Sequence, residues 1–147
     1  MIYNDIQKLL IEEDYEGILE YLTPDFLEIN DQSERFLNVG QYSDPNGIRE
    51  ALAKSNSLFG RLKEASTIID TLKKEKELIK YAEIKSNWED GRFVSATADK
   101  EASQFVQNER RIRNIIDAYI SKTDKNISVC QTLLKYLTEE IKLNRGN

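Results

Sequence analysis

The chain has no histidine among its 147 residues. Without an imidazole side chain, neither histidine general-base catalysis nor histidine metal ligation is possible, and only carboxylates, lysines and tyrosines remain as acid or base groups. The single cysteine, Cys130, allows neither a disulfide nor a cysteine metal site within one chain, and it indicates a reducing cytosol. We therefore expect a protein that is not an enzyme and that has no catalytic residue, no metal site and no cofactor.

Long apolar runs are also missing. No window approaches about 18 consecutive apolar residues, and the N-terminus has no basic region followed by an apolar one. We expect neither a membrane span nor a signal peptide, and hence a cytoplasmic protein with no membrane partner. Because 39% of the residues are hydrophobic and 32% are charged, the composition favours an elongated helical protein with a narrow apolar seam, which should form a homo-oligomer.

Hydrophobic periodicity predicts an all-α fold organised around a long, coiled-coil-like antiparallel hairpin. Apolar residues recur at alternating steps of three and four over residues 48–82 and again over residues 102–141, on either side of the turn Glu89-Asp90-Gly91-Arg92. Ile79 belongs to the first seam, and Phe105 with Val106 belongs to the second. Thr97 or Asp99 is expected to cap the second arm.

Proline and glycine mark the boundary before this hairpin. The polar cluster Asp44-Pro45-Asn46-Gly47 predicts a turn, after which the first long helix can begin. We therefore divide the chain into an acidic N-terminal helical arm of residues 1–44 and a hairpin domain of residues 45–147. Just before the turn, a short helix over about residues 32–39 and a brief strand fit the pattern equally well.

The first 34 residues contain ten acidic residues and one basic residue. Their apolar spacing predicts two short helices, with Asp14 capping the second and Pro24 ending it. This arm can pack its apolar stripe on the hairpin, dock into a basic groove of a partner protein, or compete with nucleic acid for the chain's own basic surface. The candidate partner-docking residues are Ile6, Leu9, Leu10, Glu12, Glu13 and Asp14.

Cations and aromatic residues stand side by side at the end of the first arm and the start of the second. Lysines can neutralise phosphates while aromatic rings stack on unpaired bases; equally, mixed charges are typical of a solvated helix face, and aromatic residues can pack at the hairpin tip. The arginines at 110, 111 and 113 can bridge phosphates or pair with acids of the first arm. The candidate nucleic-acid-binding residues are Lys73, Lys74, Lys76, Lys80, Tyr81, Lys85, Trp88, Arg92 and Arg110.

Three pieces of this region carry a family resemblance: Lys80-Tyr81-Ala82-Glu83-Ile84-Lys85-Ser86-Asn87-Trp88, then Asp90-Gly91-Arg92, then Ala98-Asp99-Lys100-Glu101. Over about residues 48–143 the chain resembles the UvsY recombination mediators of T-even-like phages. The resemblance implies a non-enzymatic phage protein, acting in the host cytosol. Such a protein binds single-stranded DNA as a ring-like oligomer and helps to load a recombinase.

A second interpretation is a helical protein–protein interaction protein, either a phage or bacterial assembly adaptor or an acidic inhibitor of a nucleic-acid-binding enzyme. The distribution of charge separates the two. One contiguous cationic face favours the mediator, whereas neutralisation of that face by Glu75, Glu77 and Glu83 counts against it.

Overall fold

The computed structural model describes residues 2–37, 44–89 and 91–146. Every regular element in these ranges is an α-helix, which confirms the predicted all-α class. The five helices are α1 (Ile2–Ile11), α2 (Tyr15–Leu37), α3 (Pro45–Ser86), α4 (Ser95–Phe105) and α5 (Gln107–Arg145). In the described part of the chain, no helix has the combination of length and apolar character that crossing a bilayer requires.

The N-terminal region forms two helices, and the predicted cap of the second is confirmed. The Asp14 Oδ1 accepts a hydrogen bond of 2.9 Å from the Gly17 N–H, which satisfies one of the amides at the start of α2. Glu13 joins α1 to α2 with a φ of 55°, in the left-handed region. The helix continues through residues 32–37, where helix and strand fitted equally well; residues 38 and 39 lie outside the described residues.

Pro24 does not end this helix, so that prediction was wrong. It lies inside α2, with Leu22 buried on one side and Phe26 and Ile29 buried on the other. A proline in a helix interior costs about 3 kcal/mol. Burial of each large apolar side chain contributes about 2 kcal/mol, so a helix that keeps this stripe buried on both sides of the proline outweighs the lost backbone hydrogen bond.

The turn predicted at residues 44–47 is instead the first turn of α3, which begins at Pro45 rather than at Ile48. Proline suits the first position of a helix, where its missing N–H has no intrahelical partner. The Asp44 Oδ1 accepts a hydrogen bond of 3.1 Å from the Asn46 N–H and so acts as the cap.

The predicted second arm consists of two helices, so the prediction of one continuous helix was wrong. Val106, at φ −104° and ψ 23°, separates α4 from α5. The Ser103 carbonyl near this break accepts a hydrogen bond of 2.9 Å from the Arg110 guanidinium. A side chain therefore satisfies a carbonyl at the end of α4, where the regular pattern of backbone bonds stops.

The connection between α3 and α4 contains the predicted glycine turn, but the residue that caps α4 differs from the prediction. Gly91 has a φ of 73°, which favours glycine, while Asp90 lies outside the described residues. Neither Thr97 nor Asp99 caps α4, because Val94 stands at its N-cap position without a side-chain hydrogen bond. Ala98 and Ala102 are buried on α4, so packing rather than capping accompanies its start.

The chain forms two compact units. Unit 1 comprises Met1–Leu19 and Glu64–Ile116, and unit 2 comprises Glu20–Lys63 and Asp117–Asn147. The core of unit 1 includes Ile6, Ile18, Ile69, Val106, Ile112 and Ile116. The core of unit 2 includes Leu22, Ile29, Ile48, Leu62 and the free Cys130, whose thiol pKa is raised by burial.

Contacts within unit 1 show how its segments of α3 and α5 are directed. Asp70 pairs with Arg113, and Lys76, further along α3, pairs with Glu109, which comes earlier on α5. These two segments therefore run antiparallel. A hairpin that extends over both full arms stays a prediction, as does the division at residue 44 into an arm and a hairpin domain.

Candidate functional site

All nine candidate nucleic-acid-binding residues belong to unit 1. They lie on the second half of α3, in the connection to α4, and at the start of α5. Residues 64–116 contain ten acidic and ten basic residues, while residues 1–19 contain five acidic residues and one basic residue. Unit 1 therefore carries a formal charge of −4, and its cations do not outnumber its carboxylates.

The central feature of the site is a cluster of charged groups around Glu109 on α5. The Lys76 Nζ lies 2.8 Å from the Glu109 Oε1 and 3.1 Å from the Glu13 Oε1. The Tyr15 hydroxyl donates a hydrogen bond of 2.5 Å to the same Glu109 oxygen. The side chain of Glu109 is only 5% exposed and that of Lys76 is 28% exposed. Lys76 is thus committed to two carboxylates.

These contacts shift the pKa values of all three central groups. Burial acts to raise the pKa of Glu109, but hydrogen bonds from Lys76 and Tyr15 outweigh it and bring that pKa below its usual value. Burial, together with the bond to Glu109, raises the pKa of Tyr15 to about 12. Burial lowers the pKa of Lys76, yet Glu109 and Glu13 outweigh it and raise that pKa overall. At neutral pH the cluster therefore holds the Lys76 ammonium, the Glu109 carboxylate and a neutral Tyr15 phenol.

Two more candidate lysines pair with acids on their own helix. Lys73 is buried and lies 3.6 Å from the Glu77 carboxylate, and Lys80 lies 3.6 Å from the Glu83 carboxylate. Lys80 also lies over the ring of Phe105, with its Nζ 4.8 Å from the ring centroid. Neutralisation by three glutamates was predicted to count against a contiguous cationic face. Two of them, Glu77 and Glu83, do neutralise parts of that face.

Lys74 pairs with a carboxylate that it shares with an arginine. Its Nζ lies 2.8 Å from Asp70, and the Arg113 guanidinium lies 2.6 Å from the other oxygen of the same side chain. Hydrogen bonds from Lys74, and then from Arg113, lower the pKa of Asp70. For Arg113, the structure therefore shows the second of the two predicted roles, in which an arginine of the second arm pairs with an acid of the first arm rather than with phosphate.

The aromatic residues at the tip contact one another. Tyr81 and Trp88 meet the ring of Phe93 edge to face, with centroids 6.0 and 5.3 Å apart. The Lys85 Nζ lies 5.6 Å from the centroid of Phe93. Arg92 is exposed in the same connection. The packed tip that the sequence allowed is thus present, with one lysine beside it.

The candidate docking residues of the N-terminal arm separate into two groups. Ile6 and Leu10 are buried in unit 1, and Leu9 is half-buried, which is the packed alternative of the sequence analysis. Glu12, Glu13 and Asp14 are exposed. Ile6 and Leu10 therefore lie in the core, whereas the three acidic residues that follow α1 are accessible to a partner.

No protein-family model, curated protein or solved structure matches this chain. The resemblance to the UvsY mediators therefore stays a prediction. No three carboxylate or thiol side chains in the described residues come together in the way that a metal ion requires.

Unit 1 also contains an apolar groove of about 460 Å³ that was not predicted from the sequence. Ile79 and Phe105 were predicted to lie in buried seams, yet their exposed fractions are 62% and 47%. That assignment was wrong because a helical seam covers only a narrow stripe, and Leu78-Ile79 and Phe105-Val106 are adjacent pairs that point in two directions. Such pairs are the signal that could have located the groove. Its lining residues are Leu10, Ile11, Glu13, Leu72, Glu75, Lys76, Ile79, Lys80, Glu83, Phe105 and Glu109.

Proposed function

We propose that this chain is a non-enzymatic helical protein–protein interaction protein. The observation that carries the proposal is the pairing of Lys73, Lys74, Lys76 and Lys80 with carboxylates of unit 1. These four lysines are among the nine candidates for contact with nucleic acid. The charge pattern that would favour a mediator, one contiguous cationic face, is interrupted by acids.

The free energy of phosphate binding explains why this pairing matters. A free lysine gains affinity by releasing the counterions of the nucleic acid. A lysine in an ion pair must first leave its carboxylate, so only the difference between the two interactions contributes to binding. Lys76 would also leave Glu109 behind, and an unpaired charge that is 5% exposed is strongly unfavourable. The formal charge of −4 on unit 1 adds long-range repulsion.

The second proposal is the single-stranded-DNA-binding recombination mediator. It is supported by the resemblance of residues 48–143 and by the position of Lys85 beside Phe93, whose ring also meets Trp88. A ring of subunits would repeat this tip and concentrate its charge. Recombinase binding and homo-oligomerisation belong to the same proposal.

One titration separates the two proposals. A fluorescently labelled single-stranded oligonucleotide is titrated with the full chain over a series of salt concentrations, and the free protein is measured in parallel by light scattering. The interaction protein is expected to show no length-dependent binding at low salt. Tight binding that weakens steeply with salt would overturn it and support the mediator.

A further inference from the structure

The groove of unit 1 is lined by large apolar side chains that are exposed to solvent. Ile11 is 71% exposed, and Ile79 and Phe105 join it along the same depression. Large apolar side chains that are grouped in this way, rather than scattered, mark surfaces that another molecule covers. Leu10 and Leu72 line the depression beneath them.

The dimensions of the groove fit a helix. Its wall on α3 extends from Leu72 to Glu83, which is about 16 Å at a rise of about 1.5 Å per residue. That length matches about three turns of a second helix, which would present side chains at intervals of three and four residues. Ile11 at the end of α1 and Phe105 at the end of α4 complete the lining.

The charges around the groove favour a cationic occupant. The lining contains four carboxylates and only two ammonium groups, so the carboxylates are in excess. These residues are Glu13, Glu75, Glu83 and Glu109, with Lys76 and Lys80. Both lysines already pair with these carboxylates, and both lie over the ring of Phe105, at 4.9 and 4.8 Å.

Glu109 supplies an independent observation, because its Oε2 is buried and has no hydrogen-bond partner among the described residues. Its other oxygen, Oε1, holds both Lys76 and Tyr15. A buried carboxylate oxygen without a hydrogen-bond donor raises the free energy of the folded state, because it has lost its hydrogen bonds to water. This enclosed oxygen adds to the negative potential that a cationic partner meets at the groove.

We propose that this groove binds an amphipathic helix of a partner protein, with an apolar face that covers Ile11, Ile79 and Phe105. Lysine or arginine side chains at the edges of that helix meet Glu75 and Glu83. The inference rests on the proposed interaction function, to which it adds a surface and the chemistry of the partner.

Three synthetic peptides of 14 residues, a length of about 21 Å, test this inference against the full chain by fluorescence anisotropy. The first has leucine and lysine at amphipathic helical spacing. The second replaces each lysine by glutamate, and the third has the composition of the first with its leucines spread around the helix. We expect binding of the first peptide only, because it alone combines the apolar face with the cations.

Three protein variants locate the site, one of them a matched control. Ile79→Gln should weaken binding of the first peptide by about tenfold or more, since it removes a large apolar contact of the groove. The matched control is Leu78→Gln, the adjacent exposed position on α3, which does not line this groove. It should leave the affinity within about twofold of the wild type. Glu75→Gln should weaken binding at low salt and lose its effect at high salt.

Four outcomes would overturn the inference: equal binding of the first and third peptides, preference for the glutamate peptide, equal effects of Ile79→Gln and Leu78→Gln, or no peptide binding. None of these bears on the oligonucleotide titration, which tests the proposed function separately. Oligonucleotide binding would overturn the function, whereas peptide failure alone would overturn only the groove and its cationic partner.

Discussion

The two units bury polar side chains of different kinds. Unit 1 buries charged groups, with Lys73 and Glu109 among its least exposed residues. Among the described residues of unit 2, the buried polar side chains are neutral: Gln32, Ser55, Thr123 and Asn126. Charged groups can be buried only in pairs or networks, whereas neutral groups need only a hydrogen-bond partner.

The buried polar side chains of unit 2 join its helices by hydrogen bonds between neutral groups, while its ion pairs of Lys54 with Glu28 and of Arg61 with Asp25 are more exposed. The Ser55 hydroxyl on α3 donates 2.7 Å to the Gln32 Oε1 on α2, and the Gln32 amide donates 3.4 Å to the Ala51 carbonyl. The Ser33 hydroxyl donates 3.1 Å to the Asn126 Oδ1 on α5. We infer that these buried neutral contacts of unit 2 persist over a wide range of pH, while the buried cluster of unit 1 depends on the ionisation of its groups.

Lys76→Ala should have the largest effect on stability, because it leaves Glu109 buried with only Tyr15 as a donor. Removal of one partner of a buried ion pair costs about 3 kcal/mol. Urea unfolding measures this loss in the free energy of unfolding. The control is Lys74→Ala, which removes a lysine that is 67% exposed and should cost less than about 0.5 kcal/mol. Equal losses in the two variants would contradict the special role of the cluster.

Ser55→Ala should have the next largest effect, and it tests the neutral network of unit 2. The change leaves the buried Gln32 Oε1 without its donor, which costs about 2 kcal/mol. Adding Gln32→Leu removes the stranded acceptor, so the double variant should lose less than the sum of the two single variants. Additive losses would show that the two side chains do not act together.

Tyr15→Phe should have a smaller effect, about 1 kcal/mol near neutral pH, because Lys76 still holds Glu109. The lowered pKa of Glu109 means that its contribution is present above its usual value of 4.5 and is lost as pH falls through the folded value. The loss caused by Tyr15→Phe should therefore shrink in acid. At the alkaline side, Tyr15 with a pKa of about 12 contributes fully below 10.0 and loses this contribution as pH rises to 12. Urea unfolding over pH measures both limbs, and a loss that is independent of pH would contradict the assignment.

The sequence predicted the parts of the fold that depend on local chemistry. Helical periodicity gave the all-α class, and Asp14 was correctly identified as a cap because a side chain three residues before an amide can reach it. Pro24 and the break at Val106 could not be predicted locally. The packing of Leu22 and Phe26 keeps α2 helical through Pro24. The break at Val106 accompanies the long-range folding of α4 onto the core.

For the site, the sequence predicted which residues are cationic but not which carboxylates they meet. Pairs such as Lys73 with Glu77 are visible in the sequence as neighbours on a helix. The contacts of Lys76 join positions 33 and 63 residues apart, and only the tertiary fold brings them together. The same holds for Phe105, whose exposure depends on how α4 packs.

The smallest effect is expected for the double variant Lys80→Ala and Lys85→Ala, which tests whether the tip of unit 1 differs from a solvated helix face. Lys80 pairs with Glu83 three residues away, and such pairs contribute about 0.3 kcal/mol. The interaction proposal predicts unchanged helicity, a loss of less than about 1 kcal/mol in the free energy of unfolding, and no change in the oligonucleotide titration.

The mediator proposal predicts lower affinity for the oligonucleotide and a salt dependence reduced by about two phosphate contacts. Since Lys80 already neutralises a carboxylate while Lys85 lies beside Phe93, a reduction of about one contact would assign DNA binding to Lys85 alone and restore the tip as a nucleic-acid site.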